Sequence, residues 1–260
     1  MRTSNSIILM ASLKPHELSL ALIMVGTSIT PLASLAKPQY GYSGNIGPAE
    51  WSKLSPKYAA CSDGAEQAPV NIVTKNTVRK SVATEIQPQY VATSGEVVNT
   101  GTTVQVNTSG TIKIGKTAYK LLQYHFHTPS EEAINGTHYA MNVHLVHQDA
   151  KGRLAVIGVN FKPGSANPYL ASFWKNIPTK PGGSVSVNLP SLKELLPASL
   201  DYYTFAGSLT TPPCTEGVQF YILKQPVSIS AQQLSAFRKL YPMNARPLQP
   251  LNERVIKTNK

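Results

Sequence analysis

Three stretches decide the fold of this chain: TAYKLLQYHFH at 117–127, HYAMNVHLVH at 138–147 and LAVIGVNF at 154–161. Each is rich in β-branched and aromatic residues, which favour a pleated, half-buried backbone. Asn135-Gly136 separates the first two, and Asp149 to Gly152 separates the last two; both are turn signals. Strands joined by such short turns pair with their sequence neighbours, so the three predict an antiparallel sheet. Upstream, VVN, TVQVN and TIKI continue the rhythm, punctuated by Ser109-Gly110 and Gly115. Helix signals are few. Asn167-Pro168 opens YLASFWKNI with Pro at a tolerated first-turn position. Ser230 and Gln233 form a capping box before LSAFRKL, and Pro190 and Pro197 bracket a short turn at SLKELL. No internal repeat or linker divides the region. It reads as one mixed, β-dominated domain around a large central, mostly antiparallel twisted sheet with a few short peripheral helices.

Composition agrees and excludes some classes. The 260 residues are 42% hydrophobic and 14% charged, too apolar for a disordered tail. Gly and Pro together number 37, as expected for many short strands and turns. The net charge of +11 would suit an acidic partner. The basic residues are scattered rather than striped, however, and no nucleic-acid-binding module is recognisable, so no nucleic-acid partner is expected.

The first 36 residues differ from the rest. Arg2 and Lys14 lead, no charge lies between Glu17 and Lys37, LSLALIMV at 18–25 is almost wholly apolar, and Ser34-Leu35-Ala36 puts small residues at the two positions a signal peptidase reads. This predicts a secretory signal peptide over 1–36, cleaved after Ala36, and a mature domain over 37–260. An uncleaved anchor is the alternative; the short apolar core favours cleavage and leaves no stable membrane insertion. Removing Arg2, Lys14 and Glu17 leaves 22 basic and 12 acidic residues, a balance of +10. Cys61 and Cys214 are the two cysteines, and in an exported chain two cysteines read as one disulfide, with two unpaired buried thiols as the alternative. The expected location is periplasmic or extracellular.

Five of the six histidines fall between 125 and 147. His125 and His127, two apart in a strand, project from one face. His144 lies on the next strand, where an antiparallel return can bring it alongside. Two ligands from one strand and one from its neighbour would make a three-nitrogen site with a fourth position open for water, the arrangement of a catalytic zinc ion. An H-x-H pair also describes two solvated surface histidines, and spacing alone does not choose between them. His147, three residues beyond His144, is expected on the opposite face as a hydrogen-bonded core residue, and His138 in a solvated loop.

The surrounding segments decide. Tyr42-Ser43-Gly44, Gly47-Pro48 and Trp51, EQAPVNI at 66–72, QYHFHTPSE at 123–131, HLVH at 144–147, AVIGV at 155–159, GSLTTPPC at 207–214 and FRKLYPMNARPLQPLNER at 237–254 follow one another with family-like gaps. In these the chain resembles the α-class carbonic anhydrases along essentially its whole mature length. The resemblance implies a zinc lyase that hydrates carbon dioxide to hydrogencarbonate and a proton by attack of a zinc-bound hydroxide. His125, His127 and His144 would hold Zn2+. Thr210 would accept the hydroxide's proton while donating to Glu131, aiming the nucleophile. Thr211 would help hold hydrogencarbonate, and Val146, Val156 and Leu209 would form the apolar wall for carbon dioxide. Gln123 would partner His125, the Asn244 carbonyl would partner His127, and Cys61–Cys214 would clasp the N-terminal segment to the Thr210 loop. Sulfonamides and anions are the expected inhibitors, weak esterase activity is an expected side reaction, and a homodimer is compatible with the resemblance.

Three positions depart from the family. Asn99-Thr100-Gly101-Thr102 puts Thr102 where efficient members carry a proton-shuttle histidine, and Thr does not titrate near neutrality. Turnover limited by proton transfer is therefore expected, with a catalytically weak or silent binding domain as the rival. Asn142 stands where a glutamate usually partners the third zinc histidine. It is expected to accept the imidazole N–H through its amide oxygen but to bring no negative charge, weakening zinc retention and lowering the bound water's pKa. Phe220 replaces a tryptophan on the pocket wall and preserves an aromatic surface.

Overall fold

The structure is a computed structural model that describes residues 39–81 and 84–260. The expected signal peptide lies outside the described residues. Among those described, thirteen strands join one mixed sheet. Its central path runs Ser184–Leu189, Thr93–Asn99, Val104–Thr108, Thr117–His127, Met141–Asp149, Leu154–Pro163, Glu216–Leu223 and Tyr202–Ser208, then reaches the short edge strands Lys257–Thr258 and Val78–Arg79. Most neighbours are antiparallel, as the short turns require. Leu154–Gly158 pairs in parallel with Val218–Ile222, because some sixty residues separate these segments and the chain returns from the other end. Within this sheet two more parallel pairs occur among the described residues, at Phe161–Pro163 with Val227–Ile229 and at Lys257–Thr258 with Val78–Arg79.

The sheet divides the interior in two. Met141, Val143 and Leu145 face a large core with Tyr124, Phe126, Phe161, Trp174 and Phe237. The alternate residues of the same strand, Asn142, His144 and Val146, turn the other way, where Val146 joins a smaller cluster with Val156, Phe205 and Phe220. Helix Ala231–Leu240 covers the large core with Leu234 and Phe237 and carries the expected capping box, in which Ser230 and Gln233 each bond the other's backbone. Asn167 caps Pro168–Ala171 through its side chain, accepting from the Leu170 amide at 3.1 Å. SLKELL forms a single 3-10 turn at Leu192–Leu195, capped by Ser191.

One irregularity matters for the site. Opposite Met141–Asp149, the pairing steps from Val146↔Gln123 to His147↔Leu121, so Leu122 is an extra residue, a β-bulge. Tyr119 and Leu121 before it and Tyr124 and Phe126 after it all face the large core. Without that phase change, residues of odd number could not face the core on one side of Leu122 and leave it on the other. His125 and His127 therefore emerge on the face opposite Tyr124 and Phe126.

Candidate metal centre

Register brings the histidines together. His144 is the Cα partner of His125, and Asn142 that of His127, so the ladder between the two central strands sets the rings side by side, edge-on or tilted to one another. On the far side His144 faces Gly158. A Cβ there would lie 2.5 Å from Ile222 Cδ1, so glycine leaves Ile222 its space, while the His144 ring would be met only at an ordinary contact of 3.7 Å. Phe220 closes the same side, edge-on to His144 at 5.9 Å and stacked on Phe205 at 5.1 Å.

One nitrogen from each of His125, His127 and His144 lies within 4.8 Å of the others, a group able to hold a metal ion. Outer contacts identify the inward nitrogens. His125 Nδ1 is 2.9 Å from Gln123 Oε1, leaving Nε2 inward. His127 Nδ1 is 2.8 Å from the Asn244 carbonyl, while its buried Nε2 has no hydrogen-bond partner. His144 turns Nε2 outward, 3.1 Å from Glu132 Oε2, and Nδ1 inward. A buried unsatisfied nitrogen is costly in an apoprotein and is what a metal ligand requires. Burial followed by the neighbouring His144 lowers the His125 pKa to about 3, and burial with both neighbouring histidines holds His127 well below the usual range. Both rings are thus neutral at physiological pH, the form that binds metal. At His144 burial opposes the charge, but the carboxylates of Glu132 and Glu131 outweigh it and raise the pKa.

Asn142 does not take the place expected of it. Its amide nitrogen, not its oxygen, lies 3.0 Å from His144 Nε2, and its Oδ1 has no partner. The same Nδ2 donates to Glu132 Oε2 at 3.0 Å. The outer nitrogen of His144 therefore does meet a carboxylate, from Glu132. Asn142 itself brings no charge, as expected; the carboxylate comes from a residue ten positions upstream that fills the space. Nothing in a single sequence marks Glu132; only folding of the 128–140 segment back onto the strand brings it there.

The remaining residues come from loops. Glu131 is wholly buried, with Oε1 accepting the Arg246 backbone N–H at 2.9 Å. Its Oε2 lies 3.4 Å from His127 Nε2 and 3.6 Å from His144 Nδ1. Burial pushes the Glu131 pKa up to about 7, opposed by His144, the Arg246 amide and the nearby Thr210 hydroxyl. Thr210 is buried; Leu209 and Thr211 are partly so. Their loop is tied at both ends: the Leu209 N–H donates to the Thr215 carbonyl, and the Cys214 N–H to that of Thr211, each at 2.9 Å. Cys214 is joined to Cys61 by the expected disulfide, with Cα atoms 5.0 Å apart.

A second clasp was not legible. The buried Arg246 guanidinium donates to the carbonyls of Cys61 and Ala68 and to Gln67 Oε1, all at 2.8 Å. Gln67 in turn donates to the Cys214 carbonyl at 3.0 Å. One arginine thus links Glu131, the N-terminal segment and the Thr210 loop. Thr102, by contrast, offers only a hydroxyl 3.2 Å from that of Thr100, while its carbonyl accepts from Asn244 Nδ2 at 3.0 Å. His147 faces the large core, with Nε2 2.6 Å from the Tyr90 hydroxyl, and exposed His138 has its Nδ1 2.6 Å from the Ser130 carbonyl.

With this geometry in view, comparison with known proteins is decisive. The family described as eukaryotic-type carbonic anhydrase matches residues 46–260. The chain belongs to that family, the alpha carbonic anhydrases. A carbonic anhydrase of Pectobacterium carotovorum is 42% identical over 224 residues, covering 84% of this chain and 89% of that protein. The α-carbonic anhydrase of Thermovibrio ammonificans, solved with sulfanilamide, superimposes with a TM-score of 0.83 at 41% identity, over 85% of this chain and all of that one. The Photobacterium profundum α-carbonic anhydrase gives 0.77 at 36%, over 84% of this chain and all of that one. The enzyme class, carbonic anhydrase, comes with that membership.

Proposed function

We propose that the chain catalyses the reversible hydration of carbon dioxide to hydrogencarbonate and a proton, with zinc held by His125, His127 and His144. The observation that carries this reading is the donor set: each ring has its outer nitrogen engaged, and the inner nitrogens converge, His127 Nε2 without a protein partner. Zinc held by these three neutral nitrogens would supply the Lewis acidity that brings a water to a pKa of about 7, a figure that belongs to carbonic anhydrases in general.

The chain's own groups then orient and exclude. The Arg246 amide fixes Glu131 Oε1, and the Glu131 carboxylate accepts from the Thr210 hydroxyl beside it. A threonine already donating to a carboxylate can only accept from the reacting water, which turns that water's lone pair toward the substrate carbon. Thr211 and the Thr210 backbone N–H hold the hydrogencarbonate oxygens. Val146, Val156 and Leu209, backed by Phe220, offer carbon dioxide an apolar wall that water solvates poorly.

Proton export is the slow half. Thr102 cannot carry a proton at neutral pH, so water chains and buffer must do so, at a cost near the lower end of the roughly 10²–10⁴-fold range for a positioned acid–base group. The sequence of 1–36 and the disulfide support export to an oxidising compartment, the periplasm or beyond. Among the described residues no helix is long and apolar enough to cross a membrane. Sulfonamides and small anions are the inhibitors this site would take.

Stopped-flow hydration on purified protein, with zinc measured on the same sample and imidazole titrated in, tests the reading. Expected are one zinc per chain, sulfonamide-sensitive turnover and acceleration by imidazole. Zinc-replete protein without turnover would make the chain a carbonic-anhydrase-like binding domain instead.

A further inference from the structure

Adjacent glutamates bracket a single imidazole. Glu131 Oε2 lies 3.6 Å from His144 Nδ1 on the inner side, and Glu132 Oε2 lies 3.1 Å from Nε2 on the outer side. Glu132 is wholly buried, with its backbone carbonyl accepting from Ser130 Oγ at 2.8 Å. Among the described residues its Oε1 has no hydrogen-bond partner, and Oε2 takes every contact its side chain makes with His144 and Asn142.

The three-way contact has one consistent assignment of hydrogens. With Nδ1 turned to the metal, Nε2 carries the ring hydrogen and can only donate. Asn142 Nδ2 also donates, so two N–H groups converge on Glu132 Oε2, and the 3.0 Å approach of the two nitrogens is a consequence of that convergence. Turning the Asn142 amide over would offer its oxygen to His144 but set it against Glu132 Oε2 at hydrogen-bond distance, with no hydrogen between two acceptors. The carboxylate therefore decides the orientation of both neighbours.

We propose that Glu132, and not Asn142, is the residue that positions His144 for the metal: the juxtaposition of Glu132, Asn142 and His144 moves the orienting carboxylate from the histidine's own strand to the segment beside Glu131. Asn142 serves as an amide donor that holds Glu132 in place. The proposal rests on the reading of the three histidines as a zinc site. It implies that the asparagine costs the site little, because the ring still donates to a charged acceptor, which strengthens the opposite nitrogen as a ligand.

Zinc release into a chromogenic chelator tests it, with circular dichroism to confirm folding. Glu132→Gln keeps the volume and removes the charge, and is expected to release zinc about 10–100-fold faster. Asn142→Glu alone is expected to bring no gain, since it sets a second buried carboxylate beside the first. Combined with Glu132→Gln, it returns a carboxylate to the neighbouring position and is expected to restore retention. A folded Glu132→Gln that keeps zinc at the wild-type rate overturns the proposal, as does an Asn142→Glu that alone slows release. If Glu132→Gln does not fold, a crystal structure of zinc-loaded wild type decides: Glu132 Oε2 within hydrogen-bond reach of His144 Nε2 supports the assignment, and Asn142 Oδ1 in its place overturns it. Wild type that takes up no zinc overturns the metal reading together with the proposal, whereas zinc-replete wild type with indifferent variants overturns the proposal alone.

Discussion

The site has two halves built on different terms. The three histidines stand on paired strands, where each backbone is fixed by its neighbour's hydrogen bonds and one register relation, His144 opposite His125, sets the geometry. Thr210 and Glu131 stand on loops, whose positions come from cross-links: the Cys61–Cys214 bond, the Arg246 guanidinium and Gln67. A ladder holds its side chains as a by-product of being a sheet, but a loop keeps its place only through contacts made for that purpose. Damage to one half should therefore leave the other standing, and four measurements press on that division.

The largest effect is expected at the disulfide. Its cysteines are 153 positions apart, so replacing both by serine should cost about 5 kcal/mol of stability on the chain-entropy account. Urea unfolding reads the loss. In the fraction that stays folded, hydration should fall while zinc content holds; parallel loss of zinc and activity would dissolve the distinction.

The sheet half has its own weakness, toward acid. Burial holds His147 at a pKa of about 4, against an unfolded value of about 6.5. The unfolded chain therefore binds more protons between these values, and the stability contributed by neutral His147 is complete above pH 6.5 and lost as pH falls toward 4. The swing is up to about 3 kcal/mol. His125 and His127 add to the same slope, so the informative quantity is the difference between wild type and His147→Gln, unfolded at pH 7 and again at pH 4.5. Equal slopes for the two proteins would remove His147 from the account.

Within the loop half, Thr210→Ala should lower kcat/KM on the order of 100-fold, as expected for loss of one positioned proton acceptor, with zinc retention unchanged. Within the sheet half, Gln123→Ala should quicken zinc release about tenfold, the low end for an outer partner because the group lost is neutral, and leave the Thr210 loop's sulfonamide affinity nearly unaltered in zinc-saturated protein. Should Thr210→Ala shed zinc, or Gln123→Ala spare it, the boundary between the halves would have to be redrawn.

The same division explains what could be read from the chain in advance. The strands around 117–161, the pairing of His144 with the H-x-H segment, the Ser230 capping box and the disulfide follow from local pattern, spacing or cysteine count. Gln123 came from the family resemblance, and its place two residues from His125 on one strand face fits that role. The parallel pairing of Leu154–Gly158 with Val218–Ile222, the Arg246 clasp and the approach of Glu132 to His144 are not, because each joins residues whose proximity is created by the finished topology. Thr210 and Glu131 came from the family resemblance; a Thr-Pro-Pro turn and a glutamate in a loop carry no chemistry by themselves. The bulge left a faint trace: core-facing residues change from odd numbers, Tyr119 and Leu121, to even ones, Tyr124 and Phe126.

That bulge also divides the strand's loyalties on its other edge. Residues Thr117–Lys120 pair with Thr111–Ile114, whereas Tyr124 and His125 pair with Val106 and Gln105. Leu122, 45% exposed, sits at the change of partner. Deleting it would join Leu121 to Gln123 with every pair on the histidine side still in step. Position 122 is thus a slip joint, where the chain's length can change by one residue while the two ends of the strand keep their separate appointments, one with a hairpin and the other with the histidine cluster.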